Sequence, residues 1–236
     1  MSSPSQAIAG AMETQIMAQD VSARNIANVL TPGFKRNIAL IEAMSTGSGK
    51  SAASTPTVTG VGLDLSQGAL QPTGNDLDLG LQGEGFFSIE TPDGTLYTRN
   101  GAFRLNENGV LVTQGGNAVL GESGQIQIPP GTTRLTVGPD GQLQTDSTTV
   151  GKLRIVAFDK PGLLQQAGDS NYIGDAAGPK TAATCSVHQG CLEASNVDPM
   201  TELVQMMATF RDYQACARSL HSIEDSASKL YAWARS

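Results

Sequence analysis

The stretch DPMTELVQMMATFRDYQACARSLHSIEDSASKLYAWA, Asp198 to Ala234, decides how the rest of the chain is read. Asp198-Pro199 is a helix start: the acid suits the N-cap and the proline suits the first helical position. Glu202 follows in the first turn, where the helix dipole favours an anion. One row then recurs every three or four residues: Leu203, Met206, Phe210, Tyr213, Ala217, Leu220, Glu224, Ala227, Tyr231 and Ala234, with Glu224 as its polar break. Lys229 and Arg235 sit near the end, where cations are favoured. At 1.5 Å per residue the predicted helix is ~50 Å long, more than most small domains need. A globular core helix is the competing reading. The length and low bulk of the row favour helix–helix packing across subunits.

The other end of the chain answers it. Ala9, Met12, Ile16, Gln19, Ala23, Ile26 and Leu30 form a similar row with a polar break at Gln19, a coiled-coil-like stripe of small and medium residues. Thr31-Pro32-Gly33 stops it, because proline disfavours helix at the residue before it and glycine supplies a turn. Glycine separates these ends from the middle: of 27 glycines, only Gly10 lies outside Gly33–Gly190.

Within the middle, turn signals are dense. Pro92-Asp93-Gly94, Asn108-Gly109, Gly115-Gly116 and Pro139-Asp140-Gly141 mark tight turns. Phe86–Ile89, Leu135–Val137 and Leu153–Phe158 supply strands. Met44–Thr59, rich in Ser, Thr, Gly and Ala, reads as a flexible linker.

Composition narrows the function classes. A net charge of −7 over 236 residues argues against nucleic acid, whose binding depends on neutralising phosphates. No apolar run is long enough to span a bilayer. The first basic residue is Arg24 and there is no compact apolar segment before it, so no cleaved secretory leader is expected. Cys185, His188 and Cys191 lie within seven residues, and Cys216 stands apart. A zinc site needs more ligands than this cluster offers. A Cys185–Cys191 disulfide and free thiols packing as small apolar groups both remain open, with the second favoured. Gly83-Glu84-Gly85 lacks the third glycine of a dinucleotide loop. Asp76 and Asp78 beside Asn75 read as a solvated strand face rather than a calcium site. The residues mark no nucleophile and no catalytic carboxylate pair. No enzyme activity, cofactor or metal is expected.

Several motifs resemble one known family. Asn25-Ile-Ala-Asn28-Val-Leu-Thr31-Pro-Gly33-Phe34-Lys35 is similar to the N-terminal signature of bacterial flagellar rod and hook proteins. Ser66-Gln-Gly68, Thr73-Gly-Asn-Asp-Leu-Asp-Leu79, Gly83-Glu-Gly-Phe-Phe87 and Tyr97-Thr-Arg-Asn-Gly-Ala-Phe103 extend the likeness. Gly190-Cys-Leu-Glu193-Ala-Ser-Asn-Val-Asp198 and Arg211-Asp-Tyr213 carry it into the C-terminal segment, while 140–185 adds little. The short connection from Lys35 to Ser66 resembles the proximal-rod members more than the distal-rod or hook type. Leu30, where a polar residue is usual, and the cysteines depart from the pattern.

The resemblance implies an α+β fold in which long N- and C-terminal helices form a coiled-coil-like layer beside a central all-β domain of short strands. The expected divisions are 1–34 as an assembly helix, 35–65 as a flexible linker, 66–190 as the β domain and 191–236 as the second assembly helix. It implies a structural subunit that polymerises into the torque-transmitting tube between motor and hook. Its partners would be copies of itself, other rod and hook proteins and the type III export apparatus, with no nucleic acid and no membrane insertion. It would be periplasmic, within the basal body. The expected subunit interface is Met12, Ile16, Asn25, Ile26, Asn28, Leu203, Met206, Phe210, Tyr213 and Leu220, with Gly33 and Phe34 as a structural turn. The alternatives are a dimeric coiled-coil binding or regulatory module and an enzyme acting on cell-wall glycan.

Overall fold

The structure is a computed structural model that describes residues 4–46, 53–132, 134–146, 148–168, 170–181 and 185–233. Side chains at 4–6, 42–46, 53–59, 181, 227 and 230–232 lie outside the description, as does Ala234. The predicted row is therefore testable only as far as Glu224. The chain divides into two compact units, one of residues 1–27, 37–64 and 198–236, the other of 28–36 and 65–197.

The first unit holds both helices, α1 over Pro4–Ala27 and α2 over Pro199–Trp233. Asp198 caps α2 as its sequence predicts, accepting the Met200 N–H at 3.1 Å and the Thr201 hydroxyl at 2.5 Å. These bonds hold its carboxyl below the usual range, the Thr201 hydroxyl contributing most. Two strands complete the unit, β1 over Asn37–Thr46 and β2 over Ala53–Leu63. They pair antiparallel from Asn37 opposite Leu63 to Thr46 opposite Ala53, with a bulge at Leu40/Ile41.

The expected coiled-coil-like layer is not formed. Helix α1 packs on α2 and also on both strands of the hairpin, so the unit is a mixed helix-and-strand body. The physical reason lies in β1 and β2, both within the segment read as a linker. Along β2, Thr57, Thr59 and Val61 alternate with Val58 and Gly60, β1 carries Ile38, Leu40 and Ile41, and β-branched residues favour a pleated, half-buried surface.

The second unit is the expected β body. Strands Phe86–Thr91 and Gly94–Thr98 form a hairpin around Asp93-Gly94. They lie within a ten-stranded sheet that also takes in Phe103–Leu105, Leu111–Thr113, Ala118–Gly121 and Ile155–Phe158, counted over the described residues. The predicted turn glycines Gly94, Gly109, Gly116 and Gly141 all adopt positive φ. The core collects Leu79, Leu81, Phe87, Ile89, Phe103, Leu111, Val119, Leu143 and Leu153. Phe87 meets Phe103 edge-on at 5.0 Å between ring centres. Two late strands close the unit by pairing with early ones: Ser186–Gln189 on Leu79–Gln82, and Cys191–Glu193 on Leu70–Pro72.

Candidate assembly interface

Helix α2 turns one edge of its predicted apolar row inward and leaves a second apolar stripe exposed. Glu202 and Thr209 are buried, and Met206, Tyr213, Cys216, Ala217 and Leu220 are half-buried beside them. Thr209 satisfies its hydroxyl internally, donating to the Gln205 carbonyl at 2.8 Å. Five other large apolar groups point elsewhere. Met200 is 68% exposed, Val204 62%, Met207 54% and Phe210 47%, and Leu203 joins them. At 3.6 residues per turn these five span ~120° of the helix, centred ~140° from the buried row.

Helix α1 behaves in the same way. Its buried residues are Thr14, Val21, Ser22 and Asn25, three of the four polar, whereas Ile16 and Met17 are exposed. Thr14 donates to the Gly10 carbonyl at 2.9 Å. Asn25 grips the start of β1, its carboxamide bonding both backbone groups of Asn37.

The ten predicted interface residues therefore fall into three environments. Ile16, Leu203 and Phe210 are exposed; Met12, Ile26, Asn28, Met206, Tyr213 and Leu220 are half-buried; Asn25 is fully buried and engaged within its own unit. Periodicity found the boundary between the buried and exposed faces of each helix, not the centre of either. Met17, Met200, Val204 and Met207 were outside the predicted rows; the Met200/Val204/Met207 spacing was itself a signal of a second stripe.

The predicted turn belongs to the β unit. Thr31 closes on Asn28 by backbone and side-chain bonds. Gly33 has φ +68°, and a Cβ there would overlap the Arg99 carbonyl and the Asn100 nitrogen. Its N–H donates to the Glu193 carbonyl at 2.7 Å. Phe34 is 1% exposed, anchored in the unit.

Beneath this turn lies an ionic cluster that pattern reading missed. Lys35 Nζ is 2.6 Å from Glu193 Oε1, Arg99 Nη1 is 3.2 Å from Oε2, and the Gly68 N–H donates to Oε1 at 3.0 Å. Two further donors find carbonyls, Lys35 Nζ that of Ser66 and Arg99 Nη2 that of Gly83, while Arg99 Nε is buried without a hydrogen-bond partner. Arg99 also stacks over the Phe86 ring at 5.0 Å. All three charged side chains are buried, an arrangement that holds only where opposite charges meet. The signal was present: each charge sits inside one of the quoted motifs.

The cysteines are free thiols, and burial pushes the Cys185 thiol up, away from reactivity. His188 Nε2 lies 2.7 Å from Gln82 Oε1.

Comparison with known proteins agrees with this geometry. The model of the flagellar hook protein FlgE/F/G D1 domain matches residues 80–145, and that of the flagellar basal body rod FlgEFG protein C-terminal region matches 188–231. The flagellar basal-body rod protein FlgF of Caulobacter vibrioides is 35% identical over 208 residues, covering 85% of each chain. FlgG of Buchnera aphidicola subsp. Schizaphis graminum is 32% identical over 93% of this chain and 95% of its own, and FlgF of Escherichia coli 31% identical over 93% of both. With two family models matching and relatives 31–35% identical over most of both chains, the chain belongs to the flagellar basal-body rod protein family.

Proposed function

We infer that the chain is a structural subunit of the flagellar basal-body rod, assembled with other rod and hook proteins and with copies of itself through its terminal helices. The observation that carries the assembly reading is the set of large apolar groups those helices leave exposed. Inside its own unit the chain buries Thr14, Val21, Ser22, Asn25, Glu202 and Thr209, with Met206, Tyr213 and Leu220 half-buried. To the outside it presents Ile16, Met17, Met200, Leu203, Val204, Met207 and Phe210. Exposed apolar stripes of this kind mark protein–protein surfaces. The polymer interface therefore centres on the exposed members of the predicted set, Ile16, Leu203 and Phe210, with Met12, Ile26, Asn28, Met206, Tyr213 and Leu220 at its margin.

The finer parts of the reading follow from the same family. The subunit reaches the periplasmic rod through the flagellar export apparatus, and there transmits torque. Its short Lys35–Ser66 connection supports a proximal position.

Two measurements test the proposal. Basal bodies purified from cells that make the chain should contain it by mass spectrometry. Its presence only in the soluble fraction overturns the rod assignment. Phe210→Ala should remove it from the basal-body fraction while leaving the melting temperature of the soluble chain within a few degrees, whereas Arg218→Ala should incorporate normally. A large drop in melting temperature for Phe210→Ala makes the residue an intramolecular one and removes it from the interface.

A further inference from the structure

The β unit holds a cavity of about 410 Å³ that assembly through the helices does not use. Its walls come from the 28–31 turn, from the strands Gly94–Thr98 and Leu111–Thr113 with the residues that follow them, and from the first residue of the strand Asn171–Ile173. Eight of its ten lining residues are asparagine, threonine or glutamine, and the other two are Ala102 and Gly115. Among the described residues, no charged and no aromatic side chain lines it. We propose that this cavity is a binding site for a neutral saccharide.

Internal hydrogen bonds fix the walls and leave a set of amide groups free. Thr98 Oγ1 donates to the Ser170 carbonyl at 2.9 Å and accepts the Asn100 N–H at 3.1 Å. Asn100 Oδ1 accepts the Ala102 N–H at 3.0 Å, so its Nδ2 is the end left without a partner. Gln114 is held by the opposite end: Nε2 donates to the Ala102 carbonyl at 3.3 Å, and Oε1 is left. Asn171 stands opposite Thr98 in the strand register, and Thr113 Oγ1 accepts the Asn117 N–H at 3.2 Å. The backbones of Asn117 and Asn171 are thus placed, while their carboxamides make no hydrogen bond to any described residue.

The free groups select the ligand. Asn100, Asn117 and Asn171 offer NH₂ donors; Gln114, Asn117 and Asn171 offer carbonyl acceptors. An anion brings only acceptors and calls for arginine or lysine, and a metal cation calls for carboxylates. A nucleobase or a quaternary ammonium calls for an aromatic face. A docked peptide adds to a free strand edge and needs pockets for its alternate side chains. Here the free groups are side-chain amides, and Ala102 is the one apolar side chain in the lining. A sugar hydroxyl carries no charge and both donates and accepts, which matches this even mixture. The volume is in the size class of small-molecule sites. Without an aromatic platform, each new hydrogen bond replaces one to water at small net gain, so the expected Kd is on the order of 1 mM.

Amide NMR of the purified full-length chain tests this. Addition of N,N′-diacetylchitobiose or maltose should move the side-chain NH₂ signals of Asn100, Asn117 and Asn171. The signal of Asn108, outside the cavity, should stay in place. Asn117→Ala and Asn171→Ala, made separately, should each raise the Kd by about fivefold or more, read from the two cavity amides that remain. Unmoved core backbone signals show that each variant keeps its fold, and two variants mean that one poorly tolerated substitution does not decide the result. No shift with either sugar at about ten times the expected Kd overturns the site. Equal shifts with glycerol at the same concentration make the effect one of solvent composition and overturn it too. Larger shifts with the peptide Ser-Gly-Ser-Gly assign the cavity to polypeptide instead of saccharide. Unchanged affinity in both variants places the sugar elsewhere. The titration needs no assembly, so its outcome is separate from whether the chain enters the rod.

Discussion

Asn25 and Asn37 are locked amide to backbone: the Asn37 N–H donates to Asn25 Oδ1 at 2.8 Å, and Asn25 Nδ2 donates to the Asn37 carbonyl at 2.9 Å. Asn25 is 0% exposed and Asn37 is buried. Twelve residues of chain separate them, so one side chain in the last turn of α1 fixes where β1 begins. Asn25→Ala leaves a buried N–H and a buried carbonyl without partners, at a cost of about 2–4 kcal/mol. Hydrogen exchange at the Asn37 amide should accelerate by more than tenfold. Asn25→Asp keeps the acceptor and should protect that amide better than the alanine variant does. Unchanged exchange in both variants removes the clamp.

Glu193 is the acid that Lys35 and Arg99 share, so Glu193→Gln leaves both cations buried against a neutral amide. The expected loss is about 3–5 kcal/mol, the usual penalty for orphaning one side of a buried ion pair. The contrast is Lys180→Ala, which breaks the exposed pair with Asp159 and should cost under about 1 kcal/mol. Chemical denaturation of the purified chain compares the two directly. Equal losses would mean that burial does not govern these pairs.

Gly33→Val meets both a positive φ and the Arg99–Asn100 backbone. The segment 28–36 must then leave its seat, withdrawing Phe34 and Lys35 from the unit. We expect reduced thermal stability of the β body and increased proteolysis near 28–36. A chain with normal melting and normal cleavage would show that the turn tolerates a side chain.

Tyr172 gives a pH dependence. Its side chain is 0% exposed, and burial pushes the phenol from its usual 10 up to about 12, with the Lys35 backbone and the Arg99 guanidinium offsetting part and Glu193 adding to it. The folded pKa is raised, so the unfolded chain loses this proton first as pH rises. The neutral phenol's contribution is complete below pH 10 and is lost between 10 and about 12. Tyr172→Phe should flatten that part of the stability curve, measured by denaturant midpoints across the alkaline range. An unchanged alkaline slope in the variant assigns the loss to another group.

The two helices were legible from caps and periodicity, and the β body from its turn glycines. What periodicity could not give was orientation. A pair such as Leu203 and Phe210 is apolar enough to be part of a core seam, yet Glu202 and Thr209, one position earlier, are the buried ones. Apolar character says that a residue seeks a partner, not whether the partner is in the same chain. The hairpin was obscured for another reason: Ser, Thr and Gly lower mean hydropathy, while β-branching and alternation, the features that make a strand, do not register in composition. Lys35, Arg99 and Glu193 were each inside a recognised motif, but their meeting depends on strand pairing between Cys191–Glu193 and Leu70–Pro72, which no local signal contains.

The ionic cluster also sets a clock. Lys35 stands 158 residues ahead of Glu193, and Arg99 stands 94 ahead. A chain emerging from its N-terminus has both cations long before the acid that neutralises them, and closing such distant contacts is slow. Until Glu193 arrives, the seat beneath Gly33 holds two like charges that cannot be buried together. The β body therefore reaches its final state only when four-fifths of the polypeptide is present, and a ribosome-bound or truncated chain ending before that residue should remain loose. Lateness of folding is thus written into the position of one glutamate.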